Sequence, residues 1–444
     1  VQAVNISGEL ETWLKRKLSP SLLWDYPTIE QLTQYITGGN ETSNSKSVID
    51  WDAESILDTA ISAGNLEYNH VSNPVTIFLT GATGFLGAFL VDELLKQTQA
   101  NIYCLVRSSN LESGKQRIKN NLQAYGLWQE DYSNRIIPIL GDVSQPLLGL
   151  SAEQFQVIAG EIDVIYHSAA LLNYVYPYER FKSVNVLGTQ EILRLASLIK
   201  LKPVHHISSV AVFESSAYKQ KLVTESDKLD YTEGMYLGYS QSKWVAEKLV
   251  MSAQARGIPV CIYRPPFISG HAQTGVWNTD DIICRVIKGC IKMGSIAETE
   301  QLLDLSPVDY VSRAIVYLSG QKQSLGKAFH LNNPQPIYWT QIGNLLKSFG
   351  YKIEQITLDD WQNKLEKSTQ DNPLYPLLPF YLKKWSEEQL TITELYYESR
   401  RPKISCQDTL MALAQTDITC PNVDIQLLKT YFSYFINSGF LEAP

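Results

Sequence analysis

The stretch TGATGFLGAFL, residues 80–90, carries Gly81, Gly84 and Gly87 at a spacing of three. An apolar run (75–79) precedes it and an amphipathic run follows, so it reads as a strand turning into a helix. In such a turn one glycine lets the chain bend. A second lets the backbone approach the phosphates of a ligand, and a third lets helix and strand lie close together. The start of the helix adds N–H groups with no partner inside the helix and the positive end of its dipole. Thr83, Phe85 and Leu86 belong to the same turn and are candidates for the phosphate contacts. Three spaced glycines alone also fit a tight turn without a ligand, so the surroundings decide.

Outward from this turn, apolar runs at 75–79, 102–106, 136–140, 164–167, 204–208 and 260–263 alternate with helical patterns at 86–97, 113–125, 178–199 and 240–256. Buried strands alternating with helices predict an α/β fold, a Rossmann-type doubly wound parallel sheet. Beyond about 265 the alternation fades into helical runs, aromatic clusters and Pro-rich turns such as DNPLYPLLPF. That pattern predicts a smaller, mainly helical C-terminal substrate domain. Residues 1–38 read as a short helical piece, with a second helix from Thr28 closed by Gly38 and Gly39. The polar NETSNSKS and the acidic-capped DWDAESILDTAI then form a linker with a short helix. The expected divisions are 1–38, 39–72, 73–265 and 266–444.

The 444 residues carry a formal net charge of −8, which argues against a nucleic-acid partner. No run of about 18 apolar residues occurs, so no membrane span is expected. The six cysteines are scattered without a CxxC pair, which suits free thiols in a reducing cytoplasm. Cys104 and Cys261 lie in strand runs and are expected in the core. No cluster has metal-ligand spacing.

The end of the second strand discriminates between NAD and NADP. An acid there hydrogen-bonds the ribose 2′-hydroxyl, whereas an arginine accommodates a 2′-phosphate. Here Arg107 falls 20 residues after Gly87, in NIYCLVRSS. Its fork of donors on a permanent cation suits a phosphate, with Ser108 and Arg117 as further contacts. The third strand ends in LGDVS, where Asp142, followed by Val143, is placed to accept from an adenine amino group or to cap a turn.

YSQSK supplies Tyr239 and Lys243, four apart on one face of a helix start. A tyrosine has an ordinary pKa of about 10, and a neighbouring ammonium favours its phenolate. HISSVAVF closes the fifth strand and sets Ser209 to bond a substrate carbonyl oxygen beside Tyr239; Ser208 is one residue off that alignment. His205 and His206 read as structural, and His167 as bordering the cofactor.

In order along the chain, the glycine turn, Arg107, Gly141–Asp142, NVLGT with Asn185, Ser209, Tyr239/Lys243 and YRPPFISG resemble the extended short-chain dehydrogenase/reductases over roughly 75 to 330. The resemblance implies that Asn185 orders the relay lysine and that Arg264 and Pro265 begin the segment passing the nicotinamide. Serine stands where many relatives have threonine, and RPP replaces the commoner RPG. Within that superfamily, VTIFLTGATGFLGAFLVDELL, GHAQTGVWNTDD, LSPVDYVSRAIVYLS and CPNVDIQLLKTYFSYFINSGFL resemble the terminal thioester reductase domains of nonribosomal peptide and polyketide synthases. Residues 1–38 resemble the C-terminal part of an acyl or peptidyl carrier domain, with the phosphopantetheine serine falling just before Val1.

These resemblances imply NADPH-dependent reduction of a carrier-tethered thioester to an aldehyde, with a second hydride transfer giving the primary alcohol where reduction continues. Ser209 and Tyr239 would stabilise the oxyanion, Tyr239 would donate the proton, and Lys243 would lower the tyrosine pKa. Phe267, Trp277, Tyr375 and Trp385 are candidates to line the acyl pocket. Two alternatives stay open: a short-chain reductase or epimerase acting on a small free substrate, and a non-catalytic NADP-binding protein.

Overall fold

The computed structural model describes residues 22–26, 28–37, 49–385 and 388–444, with isolated helical positions at 6, 10, 13 and 14. Seven strands form one sheet: β1 (Thr76–Thr80), β2 (Asn101–Val106), β3 (Ile136–Leu140), β4 (Val164–His167), β5 (Val204–Ile207), β6 (Val260–Arg264) and β7 (Ala328–His330). Their order across the sheet is β3-β2-β1-β4-β5-β6-β7, and every pairing is parallel. The order reverses between β1 and β4. A sheet of this kind binds ligands at that switch point, outside the carboxyl ends of its strands.

The helices used below are α1 (Phe85–Gln97), α2 (Leu111–Ala124), α3 (Ala152–Glu161), α4 (Gly188–Ser197), α5 (Gly238–Ala255), α6 (Ile282–Met293), α7 (Val308–Ser319) and α8 (Ile425–Asn437). Alternate residues of β1 face opposite layers. Ile77 and Leu79 pack with Leu90 and Leu94 of α1 and Val311 and Ile315 of α7. Phe78 packs with Ile192 and Leu195 of α4 and Trp244 and Leu249 of α5. The C-terminal region has its own core, including Ile283, Trp361, Phe432 and Phe435. Cys104 and Cys261 are fully buried, and burial pushes each thiol up to about 12, which leaves them inert core residues.

The expected strands and helices form, with three differences. A seventh strand appears, because the apolar segment of β7 is too short to show periodicity. With it, the expected boundary at 265 does not hold: α7 packs on α1 and β7 pairs with β6, so the chain returns to the sheet after leaving it. The helix expected over 178–199 is three pieces, Tyr178–Phe181, a π-helical Lys182–Leu187 and α4. A side chain at Gly188 would meet the Val143 carbonyl at 2.7 Å, so α4 starts hard against the end of β3.

Thr28 caps the helix Ile29–Ile36, as expected. Gly38, Gly39 and most of the first expected helix lie outside the described residues. The linker helix Trp51–Glu54 is capped by Asp50. Glu54 accepts from Tyr178 Oη at 2.5 Å and Lys182 Nζ at 2.6 Å. Leu57 and Ile61 are buried, and Arg256 donates to the carbonyls of Leu57, Asp58 and Ile61. Residues 50–61 are therefore a strap fastened to the sheet domain.

Candidate functional site

The three glycines meet different demands. Gly81 has φ +84°, and a Cβ there would lie 2.8 Å from Ala169 N, at the end of β4. A Cβ at Gly87 would lie 1.9 Å from the Gly81 carbonyl oxygen, so α1 touches the turn at that point. Gly84 is different: a Cβ meets only the Gly81 oxygen, at 3.3 Å, and the residue is exposed. It is the N-cap of α1, and no side chain caps the helix. The protein's own packing requires glycine at 81 and 87, while the bare face of Gly84 and the uncapped amides of the first turn fit an external pyrophosphate. Thr83, Phe85 and Leu86 complete this turn.

A residue unmarked by sequence, Asn121, braces the turn from α2. Its Nδ2 donates to the Ala82 and Gly84 carbonyls at 3.1 and 3.0 Å. One helical turn earlier, Arg117 donates to the Arg107 carbonyl at 2.8 Å. Arg107 and Arg117 are both exposed, and neither meets a carboxylate among the described residues. The Arg117 guanidinium thus lies against the Arg107 backbone at the end of β2. Asp142 holds Ser144 through Oδ1, at 2.9 Å to its N–H and 2.8 Å to its hydroxyl, so the turn-capping reading holds for that oxygen. Val143 lies between it and Gly188.

At the ends of β5 and α5, the hydroxyls of Ser209 and Tyr239 are hydrogen-bonded to each other. Tyr239 keeps some accessible surface, but its hydroxyl is enclosed by protein. Burial pushes the phenol up to about 12, against the Ser209 hydrogen bond that lowers it, and the nearby Glu214 charge adds to the rise. The expected lowering by Lys243 is therefore not what sets this group. Lys243 is itself 4% exposed, and burial lowers it to about 8, with Glu247 acting in the opposite direction. Its ammonium donates to the Ile207 carbonyl at 2.7 Å. A protonated phenol is the form that proton donation requires.

Asn185 sits in the π-helical turn, 3% exposed. Its amide grips Leu171 N–H and carbonyl at 2.8 and 3.1 Å and Ser242 Oγ at 2.9 Å. It holds the loop after β4 against α5 and does not bond Lys243. His167 is likewise engaged, by Thr80 and Thr189 at 2.8 and 3.0 Å. His205 and His206 are buried, and burial moves both down, toward neutral rings.

Arg264 and Pro265, expected to begin the segment passing the nicotinamide, lie at the end of β6, where the Arg264 side chain turns inward. Arg264 is 1% exposed, makes a two-nitrogen ion pair with Glu247 at 2.6 and 3.0 Å, and donates to His330 Nε2 at 2.9 Å. His330 in turn donates to the Ser405 carbonyl at 2.6 Å. Ser208, the serine off alignment, donates to Glu247 at 2.5 Å. The arginine is a buried strut joining α5, β6 and β7. Pro265 follows it, buried, and accepts from Val210 N–H at 3.1 Å, which ties it to the loop carrying Ser209. Glu247 lies four residues after Lys243, a spacing that marks the same helix face.

Tyr174, in the loop after β4, has Tyr239, Tyr381, Tyr396 and Asp281, the N-cap of α6, as charged or ionisable neighbours. Of the expected pocket residues, Trp277 is buried against Tyr431 and Phe435. Phe267 and Tyr375 edge the C-terminal core. Trp385 packs at a tilt against Tyr236, three residues before Tyr239. A polar recess of about 720 Å³ lined by Gln220, Glu300, Tyr338, Glu398, Ser399 and Lys403 holds none of the candidate residues. Among the described residues there is no metal-binding group and no helix long and apolar enough to cross a membrane.

Residues 79–315 match the Male sterility protein family of NAD-binding domains. The chain is 37% identical over 96% of its length to a linear gramicidin synthase from Brevibacillus parabrevis, covering 8% of that protein. It is 31% identical over 100% of its length to the large chain of the L-2-aminoadipate reductase from Eremothecium gossypii, covering 34% of that protein. It therefore spans about a third or less of these relatives. A crystal structure of the terminal R domain of the myxalamid PKS-NRPS pathway superposes with a TM-score of 0.83 at 44% identity, covering 89% of this chain and 98% of that one.

Proposed function

Because the chain belongs to the Male sterility protein family and matches a terminal R domain over nearly its whole length, we propose that it is an NADPH-dependent reductase. It releases an acyl or peptidyl group from a phosphopantetheine thioester on a carrier protein as the aldehyde. The observation that carries this reading is the hydrogen-bonded Ser209–Tyr239 pair, with the buried Lys243 one helical turn after Tyr239, on the same edge of the sheet as Gly84. The preference for NADPH over NADH rests on Arg107 and Arg117. Two cations without an acidic partner among the described residues stand where an NAD site carries a carboxylate.

The turn amides from Gly81 to Gly87 and the two arginines would hold the cofactor, which supplies hydride when bound. The chain's own residues do the rest. Ser209 and Tyr239 donate to the thioester oxygen as it gains negative charge, a stabilisation realised mainly in the transition state. Tyr239, held protonated by its burial, passes its proton to that oxygen. Lys243 keeps a positive charge one helical turn beyond Tyr239. The resulting hemithioacetal breaks its C–S bond, freeing the pantetheine thiol and the aldehyde. The carrier-like residues 1–38 and the strap at 50–61 make a carrier domain the natural donor.

The test is to mix the protein with NADPH and an acyl-pantetheine thioester and follow NADPH oxidation in wild type and Tyr239→Phe. Oxidation in the wild type, reduced about 10²- to 10⁴-fold in the variant, supports the reading. Equal rates in the two proteins refute it.

A further inference from the structure

Ser209 and Tyr239 are joined a second time behind the reacting face. The 3₁₀ turn Val210–Phe213 starts at Ser209 and ends at Glu214. Glu214 is largely buried, its side chain 8% exposed. One carboxylate oxygen accepts from Ser240 Oγ, the residue next to Tyr239. The other accepts from Tyr396 Oη of the C-terminal region. Arg401 reaches that second oxygen at 3.4 Å and lies 4.3 Å over the Tyr396 ring. One acid therefore ties the β5 loop, the start of α5 and the C-terminal segment together, immediately beside the phenol.

We propose that Glu214 is a positioning residue that holds Tyr239 in its proton-donating state and links that state to the C-terminal domain through Tyr396 and Arg401. The inference rests on the role given to Tyr239 above. A carboxylate close to a phenol disfavours the phenolate, and Glu214 acts on Tyr239 in this direction. The other groups beside Tyr239 are Ser209 just after β5, Tyr174 from the loop after β4 and the Phe181 ring, with Lys243 one turn on along its own helix. Those facing Glu214 are Ser240, Tyr396 and Arg401. Arg401 offsets part of the Glu214 charge. A displacement of Tyr396 or Arg401 would therefore alter the acid strength of Tyr239 from outside the reacting centre.

The test reads Tyr239 directly, by an NMR pH titration of protein labelled with ¹³Cζ-tyrosine. Loss of one signal in Tyr239→Phe assigns the resonance. Glu214→Gln should lower the Tyr239 midpoint by about half a unit to one unit. Arg401→Met, which leaves the carboxylate uncompensated, should move it the other way. Identical titrations in wild type and both variants overturn the proposal. If Glu214→Gln does not fold, the upward shift in Arg401→Met decides alone. This readout needs no turnover, so failure of thioester reduction in the wild type would refute the functional reading without deciding the role of Glu214.

Discussion

The Lys243 ammonium, one helical turn after Tyr239, donates to the Ile207 carbonyl at 2.7 Å. Burial has lowered this lysine to about 8, so its charge is lost within an accessible pH range. Activity is therefore expected to fall as pH rises through about 8, approaching about tenfold per pH unit. The sign for stability is opposite. Below 8 the lysine is protonated in both folded and unfolded chains, and the cost of burying its charge is fully present. Above 8 the folded chain releases the proton and the cost fades. Lys243→Met should be inactive yet at least as heat-stable as wild type at pH 7, with its advantage shrinking toward pH 10. Thermal melts across pH check this, and a variant less stable at every pH contradicts it.

Gly84 and Gly87 should separate binding from folding. A Cβ at 87 collides with the Gly81 carbonyl, so Gly87→Ala is expected to cost ~4 kcal/mol or more and to lower the melting temperature sharply. Gly84→Val meets little of the protein but fills the space before the α1 amides. It should fold normally and weaken NADPH binding, measured by nucleotide fluorescence.

Arg107→Asp should shift the cofactor preference from NADPH toward NADH by about 10- to 100-fold, the scale of one charged hydrogen bond. Kinetics with both nucleotides measure it, and an unchanged ratio removes Arg107 from the 2′-phosphate site.

Arg264→Met should act on stability and not on the cofactor. It strands Glu247 in the interior, a loss of about 3–5 kcal/mol. Denaturant unfolding should show the loss, while NADPH affinity in the folded fraction stays near that of wild type.

The sheet and the placing of Ser209, Tyr239 and Lys243 were legible because their signals are local. Glycines at fixed spacing, YxxxK at a helix start and apolar runs of strand length each announce themselves within a dozen residues. What was not legible depends on contacts between distant segments. β7 is three residues long and joins the sheet only through β6. Arg264 falls at a strand end, where a site residue is expected, yet its partner Glu247 turns it inward. Glu214 and Asn121 are ordinary polar residues in sequence, and acquire roles only when α5 and the glycine turn come beside them. The direction of the Tyr239 shift was missed for the same reason: spacing puts a lysine nearby but says nothing of how deeply the phenol is enclosed.

The most direct test of the central claim uses NADPH deuterated at the transferred position together with an acyl-pantetheine thioester, with the product identified by mass. The account predicts free pantetheine thiol and an aldehyde carrying one deuterium on its carbonyl carbon, or two deuteriums on the carbinol carbon where reduction continues to the alcohol. Thiol release without deuterium in the product, or consumption of NADPH with the thioester intact, would contradict it.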